Sequence, residues 1–243
     1  DSFSGTTADV AAWNLSGFQA IPRSRATLFA HVIANMDPEV IGLAEVNPDM
    51  IAAEIVAELN ELGTCYRRKI LEQSASQNLA IIHKCEVQVT NPRLIPGSAI
   101  GSSGLRQALV ADVRMGKFDF LLVVLHLKAS RDATSRSKRS QQNEVIAAFL
   151  TNEPELDVVV VGDFNMVPGQ DDVNFDAMAP NDELKFVARE DFPNQGTHIG
   201  AGGIGNHLDG YAVAEPATCE YVEGSLRVVE SHRDLGLSVV EFR

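Results

Sequence analysis

No run of about 18 or more apolar residues occurs in the chain, so no segment reads as a membrane-spanning helix. There is no CxxC pair and no zinc-type Cys/His spacing around the three cysteines, Cys65, Cys85 and Cys219, which excludes the common structural zinc modules. The glycine-rich stretch at 194–206 is not followed by GK[ST], so it is not a P-loop. Basic residues are few: 20 Lys and Arg stand against 33 Asp and Glu, a net charge of −13. Such a field repels polyanions and counts against a protein that tracks long DNA by its backbone, while leaving a small phosphoester or a local basic patch open. Aromatic residues make up 6% of the chain and do not alternate with the basic ones, so a base-stacking platform has no support. Trp13, the sole tryptophan, lies in a strand-like run and reads as core. Repeats, low-complexity tracts and a linker are also lacking, so residues 1–243 read as one domain. The chain starts at Asp1 and is expected to be a trimmed form with any export signal out of view.

What is present is apolar and patterned. Hydrophobic residues are 45% of the chain, enough for a sizeable core. Short apolar runs at 8–14, 40–46, 118–127 and 156–161 suit buried strands, with further strand-like runs at 64–72, 78–84 and 105–114. Leu28, Phe29, Val32, Ile33 and Met36 mark a helix opened by Pro22. Ile51, Ile55, Leu59 and Leu62 mark a second, capped by Asn47-Pro48 and stopped by Gly63. A third helix is expected over about 134–151, with Val145, Ile146, Phe149 and Leu150 inward. Residues 91–104 and 168–206 read as loops, and 207–243 holds three short strand candidates. Many short strands with a few amphipathic helices predict an α+β chain: a four-layer α/β/β/α sandwich, two mostly antiparallel sheets face to face with helices outside.

Cys65 and Cys85 lie symmetrically about Ala75 in a segment that reads as a hairpin. Directly opposed residues on antiparallel strands share a face and approach closely enough for a disulfide, the alternative being three reduced thiols. A bridged, acidic, trimmed chain leans towards export, to an extracellular or periplasmic location.

Polar residues recur at the ends of the apolar strands. Asn14 ends the first and Glu45 lies near the end of the second. His126 and Lys128 end FLLVVLHLK, and Asp163 and Asn165 follow LDVVVV in GDFN. Asp209 lies in NHLDGYAV and His232 in ESHRDL. Each alone has an ordinary explanation as a turn cap or a residue meeting water. As a set they are what one rim of a sandwich would need for phosphoryl chemistry. Hard oxygen ligands suit Mg²⁺, Mn²⁺ or Ca²⁺, and histidines beside carboxylates suit proton transfer.

The order WN…E…HLK…GDFN…LD…SH resembles the endonuclease/exonuclease/phosphatase superfamily from Trp13 to about Val240, and Arg139 and Gln142 after HLK also fit its pattern. The resemblance implies that Glu45 is the main metal ligand, with Asn14 close by. It implies that Asp163 and Asn165 position the attacking water, that Asp209 holds His232 as base or phosphate contact, and that His126 donates on the phosphate side. Lys128, Arg139 and Arg106 are expected to bind phosphate or substrate, and the chain is expected to be monomeric. The last motif departs from the family's Ser-Asp-His: the matching residues are Glu230, Ser231 and His232. Serine is a neutral, poor ligand, so Ser231 weakens the expectation of a second metal.

Arg131, Arg136, Lys138 and Arg139 crowd the segment after HLK, which reads either as a phosphate-facing patch or as a solvated helix start. His198 and His207 read as surface residues. Three functions stay open: a nuclease acting on DNA, expected first; a phosphatase or phosphodiesterase for small or lipid-linked phosphoesters; and a binding protein on a catalytically weakened fold.

Overall fold

The structure, a computed structural model, describes residues 7–15, 23–46, 50–74, 77–102, 104–155, 157–187, 196–200, 203–214 and 221–230. Its strands are β1 (Val10–Asn14), β2 (Val40–Val46), β3 (Tyr66–Ile70), β4 (Asn78–Lys84), β5 (Gln88–Leu94), β6 (Leu109–Met115), β7 (Phe118–His126), β8 (Val158–Asp163), β9 (Leu184–Lys185), β10 (Ile199–Gly200), β11 (Gly203–Ile204) and β12 (Asp209–Ala214). Its helices are α1 (Arg23–Met36), α2 (Met50–Glu61), α3 (Ala133–Thr151) and α4 (Asp172–Met178).

The first sheet runs β1-β2-β4-β3 and the second β5-β6-β7-β8-β12-β9, with β10 and β11 a separate pair. Among the described residues β1/β2 and β7/β8 are parallel and the other pairings are antiparallel. Three apolar layers fill the spaces between four structural ones. Ile41, Leu43, Ala80 and Ile82 pack on Phe29 and Ile33 of α1 and on Ile51, Ile55 and Leu59 of α2. Val40, Ala44, Leu79 and Ile81 meet Leu109, Ala111, Leu122, Val124 and Val161 between the sheets. Val123, Leu125 and Val160 meet Ile146 of α3 and Phe175 of α4. The α/β/β/α sandwich expected from the sequence is thus the observed architecture.

Gly42 shows how closely the sheets approach: a Cβ there would lie 2.6 Å from Val161 Cγ2 and 3.0 Å from Val124 Cγ2. Cys65 and Cys85 are disulfide-bonded, extending the register Tyr66↔Lys84 by one pair.

Several expectations are corrected. Residues 91–94, read as loop, finish β5. Pro92 is tolerated because β5 is an edge strand with a register shift between Thr90 and Arg93, where Asn91 takes φ 47°. Leu28 and Leu62 are exposed, because Ala26 and Ala30 complete the buried face of α1 and Leu62 lies past the end of α2. The loop-rich stretch holds α4. Pro22, Asn47 and Pro48 lie outside the described residues, and of the three tail strands only β12 falls within them.

Candidate active site

Period-two alternation aims most of the site. Val10 and Ala12 of β1 pack between the sheets, so Asn14 ends the strand on that same inner face. Leu122 and Val124 set the phase for His126, Val159 and Val161 for Asp163, and Tyr211 for Asp209. Pairing then aligns the last three: His126 is opposite Asp163 in the parallel β7/β8 pair, and Asp163 is opposite Asp209 in the antiparallel β8/β12 pair.

Glu45 reaches the site differently. Leu43 and Val46 both pack against the helices although they are three residues apart, which strict alternation forbids. The extra residue is absorbed at a β2/β4 register shift between Leu43 and Val46, where Glu45 takes a left-handed φ of 58°. Asn165 also has positive φ, 50°; its amide N donates to Asp163 Oδ1 at 2.8 Å and its Nδ2 to Leu127 O at 3.1 Å. Left-handed backbone at two non-glycine site residues is local strain held by the surrounding sandwich.

The two sheets meet at Asn14. Its Nδ2 donates to Glu45 Oε1 at 3.1 Å and to Asp163 Oδ2 at 2.8 Å, so one amide fixes a carboxylate from each sheet. It is the amide nitrogen that faces the carboxylates, which makes Asn14 their holder in this arrangement. His126 Nε2 lies 3.7 Å from both Glu45 Oε1 and Asp163 Oδ2. One ligand atom each from Glu45, His126 and Asp163 falls within 4.8 Å of the others.

The charge here is unbalanced. Burial pushes the Asp163 carboxyl up to about 6, against the hydrogen bonds from Asn14 and the Asn165 amide. Burial and the neighbouring Asp163 push Asp209 well above the ordinary carboxylate range. Burial and the Arg106 guanidinium hold the His126 imidazole down to about 3. Asp209 N donates to Thr197 Oγ1 at 2.9 Å, while its buried Oδ1 has no hydrogen-bond partner among the described residues. The Glu45 and Asp163 carboxylates share the Arg106 guanidinium, with Asp209 beside Asp163, and this acidic oxygen donor set fits a divalent cation. Glu45, His126 and Asp163 are the group whose ligand atoms lie close enough to hold one.

Of the expected phosphate-binding residues, the structure brings two to the rim. Lys128 is half-buried two residues beyond His126, with its amine on Ala129 O at 2.8 Å. Arg106 is buried at the site, spending Nη1 on Gln77 Oε1 and His126 Nδ1, each at 2.8 Å. Arg139 is a correction. Its side chain is 0% exposed and its nitrogens bond Lys128 O, Ser130 O, Asn174 Oδ1 and Asp171 Oδ1, so it braces the HLK loop and faces no phosphate. Arg136 also pairs with Asp171, and Asp132 caps α3 by accepting from Ser135 N, so the segment after HLK is mainly a helix start. His207, read as a surface residue, is buried, whereas His198 is exposed. Ser231 and His232 lie outside the described residues.

Sequence reasoning missed Gln77, whose Nε2 donates to Glu45 Oε2 at 2.8 Å. Its only sequence signal is its place just before β4, at the same rim as the other strand ends.

Residues 11–214 match the model of the Endonuclease/Exonuclease/phosphatase family. The chain belongs to that family. Its members are metal-dependent phosphoesterases, which agrees with the acidic site. The fold is similar to that of truncated TDP2 from Caenorhabditis elegans (TM-score 0.66, 18% identity, covering 86% of this chain and 84% of that one). It is also similar to Danio rerio TDP2 complexed with a single-strand DNA product (TM-score 0.63, 17% identity, 84% and 82% covered). A mannosyl-6-phosphatase from Bacteroides thetaiotaomicron is comparably similar (TM-score 0.65, 15% identity, 86% of each chain). No curated protein sequence matches significantly.

Proposed function

We propose that the chain is a divalent-metal-dependent phosphodiesterase, with a DNA phosphodiester as its first candidate substrate. One observation carries the reading: Glu45 of one sheet and Asp163 of the other are held by a single Asn14 amide beside His126, an acidic pair that a bound cation would stabilise. Mg²⁺ or Mn²⁺ suits these oxygen donors, with Ca²⁺ as an alternative. Bound there, the cation would supply charge neutralisation for a phosphate that otherwise repels its nucleophile.

The reaction converts a phosphodiester and water into a phosphomonoester and an alcohol. In it Asp163, held by Asn14 and the Asn165 amide, accepts from and orients the attacking water. His126 and Lys128 donate to phosphate oxygens, and the family resemblance gives His232, with Asp209, the part of base or phosphate contact. Danio rerio TDP2, bound to a DNA product, supports a nucleic-acid substrate.

A second reading, hydrolysis of a small phosphoester, is favoured by the net charge of −13, which disfavours a long polyanion, and by the similar fold of a sugar phosphatase. The Cys65–Cys85 bridge supports an oxidising location, extracellular or periplasmic.

The test is hydrolysis of plasmid DNA and of bis-para-nitrophenyl phosphate with Mg²⁺, Mn²⁺ or EDTA, for the wild type and His126→Ala. Metal-dependent nicking of DNA that is lost in the variant is the expected result. Turnover of the small diester alone moves the assignment to a small-substrate phosphoesterase. Metal binding with no turnover of either, or of phosphomonoesters, leaves a binding protein.

A further inference from the structure

His126 offers its Nε2 to the same space as the Glu45 and Asp163 carboxylates, and geometry alone would admit it as a third metal ligand. Its other ring nitrogen decides otherwise. Arg106 Nη1 lies 2.8 Å from His126 Nδ1, and both side chains are buried. A guanidinium carries five N–H donors and no acceptor, so Nδ1 must be the acceptor and carry no proton. A neutral imidazole then keeps its single proton on Nε2, aimed between the two carboxylates. To bind a metal through Nε2, the ring would have to move that proton to Nδ1, against an N–H already pointing at it.

Arg106 is itself held in place. Its Nη1 also donates to Gln77 Oε1 at 2.8 Å, and Gln77 Nε2 donates to Glu45 Oε2 at 2.8 Å. Both ends of that amide are fixed, because arginine can only donate and a carboxylate can only accept. The sequence of donors therefore runs from Arg106 outward in two directions, to His126 and through Gln77 to Glu45, and both branches end in the same site.

We infer that Arg106, oriented by Gln77, is a positioning residue that locks His126 in its Nε2–H tautomer, making His126 a fixed hydrogen-bond donor to a phosphate oxygen and neither a metal ligand nor a proton donor. This rests on the phosphoesterase reading for its consequence, though not for its geometry. A neutral, preoriented N–H stabilises charge that develops on a phosphate oxygen without a proton changing hands. It also leaves the metal to oxygen donors, which keeps the site suited to hard cations over zinc.

The experiment is long-range ¹H–¹⁵N correlation of the histidine side chains, with His126 assigned through His126→Gln, in the chain without metal and after addition of Mg²⁺. The wild type is expected to show His126 as the pure Nε2–H tautomer, unchanged by Mg²⁺. Arg106→Met is expected to give a mixture containing Nδ1–H and to lower kcat about 100-fold with little change in KM. Arg106→Lys, which restores a donor to Nδ1, is expected to return the Nε2–H form. An Nδ1–H tautomer in the wild type, or a Mg²⁺-induced shift of Nε2 typical of ligation, overturns the inference. A pure Nε2–H form kept in folded Arg106→Met also overturns it, and if that variant does not fold the wild-type spectrum still decides the tautomer. The spectrum without metal reads the tautomer whether or not the protein hydrolyses a phosphoester, so failure of the function and failure of the inference are told apart.

Discussion

Two buried aspartates, Asp163 and Asp171, sit in this molecule under opposite rules. Asp171 is also pushed up by burial, but the Val167 amide and the guanidinium groups of Arg136 and Arg139 more than offset this and hold its carboxyl below the ordinary range. Asp163 is also buried, yet its hydrogen-bond partners are an amide side chain and a backbone N–H, the nearby Arg106 guanidinium is shared with the Glu45 carboxyl, and its own carboxyl rises to about 6. Around Asp171 every charge is answered within the protein. Around Asp163 the protein stops short of neutrality. The first arrangement fastens α3 and α4 to the HLK loop; the second leaves room for a cation and a phosphate. Buried charge alone does not mark a functional site, whereas buried charge that the fold declines to compensate does.

The largest expected effect breaks the second arrangement. Glu45→Ala should lower metal-dependent hydrolysis about 10³-fold or more, the loss of several kcal/mol of transition-state stabilisation. Thermal melting without metal should show stability kept or increased, since a like charge is removed beside Asp163. Arg139→Met should do the reverse. It leaves the Asp171 network short of a cation and should cost about 3–5 kcal/mol in denaturant unfolding. Activity per folded molecule should fall only as far as the HLK loop loosens.

A third prediction sets the aspartates against each other. Because the folded-state pKa of Asp163 is raised, its ionised form costs stability that appears as pH rises from about 4 through about 6. Asp163→Asn should therefore stabilise the metal-free chain by roughly 1–3 kcal/mol at pH 7, with the gain vanishing near pH 4. Asp171 has a lowered folded-state pKa, so its contribution is present above the ordinary carboxylate range and is lost only as pH falls below it. Asp171→Asn should destabilise at pH 7. Chemical denaturation in EDTA at both pH values reads all four numbers. The smallest effect concerns backbone: Glu45→Gly should gain about 1 kcal/mol over Glu45→Ala, because glycine accepts the left-handed φ that alanine resists.

The contrast also explains what the sequence made legible. Asn14, His126, Asp163 and Asp209 continue the alternation of apolar runs, so strand phase and strand ends suffice to gather them. Glu45 is out of phase with Val40 and Ala44, and the register shift in β2 brings it in; its place near a strand end and the motif order pointed to it, but no periodicity reveals a bulge. Arg139 misled because a basic residue at the start of the helix after HLK looks alike whether it meets phosphate or carboxylate. Its deciding partners, Asp171 and Asn174, lie in and beside α4, in a stretch whose Asp, Asn and Gly content read as loop. Gln77 was missed because an amide before a strand carries no signal until Glu45 and Arg106 are seen on either side of it. The disulfide was legible because hairpin symmetry about Ala75 is a matter of counting.

The carboxylates that the two sheets bring together at Asn14 are proposed to hold a divalent cation. The most direct test is a crystal of the protein soaked in Mn²⁺, with the ion located by anomalous scattering. A single strong peak is expected within coordination distance of Glu45 and Asp163, absent from Glu45→Ala crystals. A peak elsewhere, or none at that position when the soaked crystal diffracts well, would contradict it.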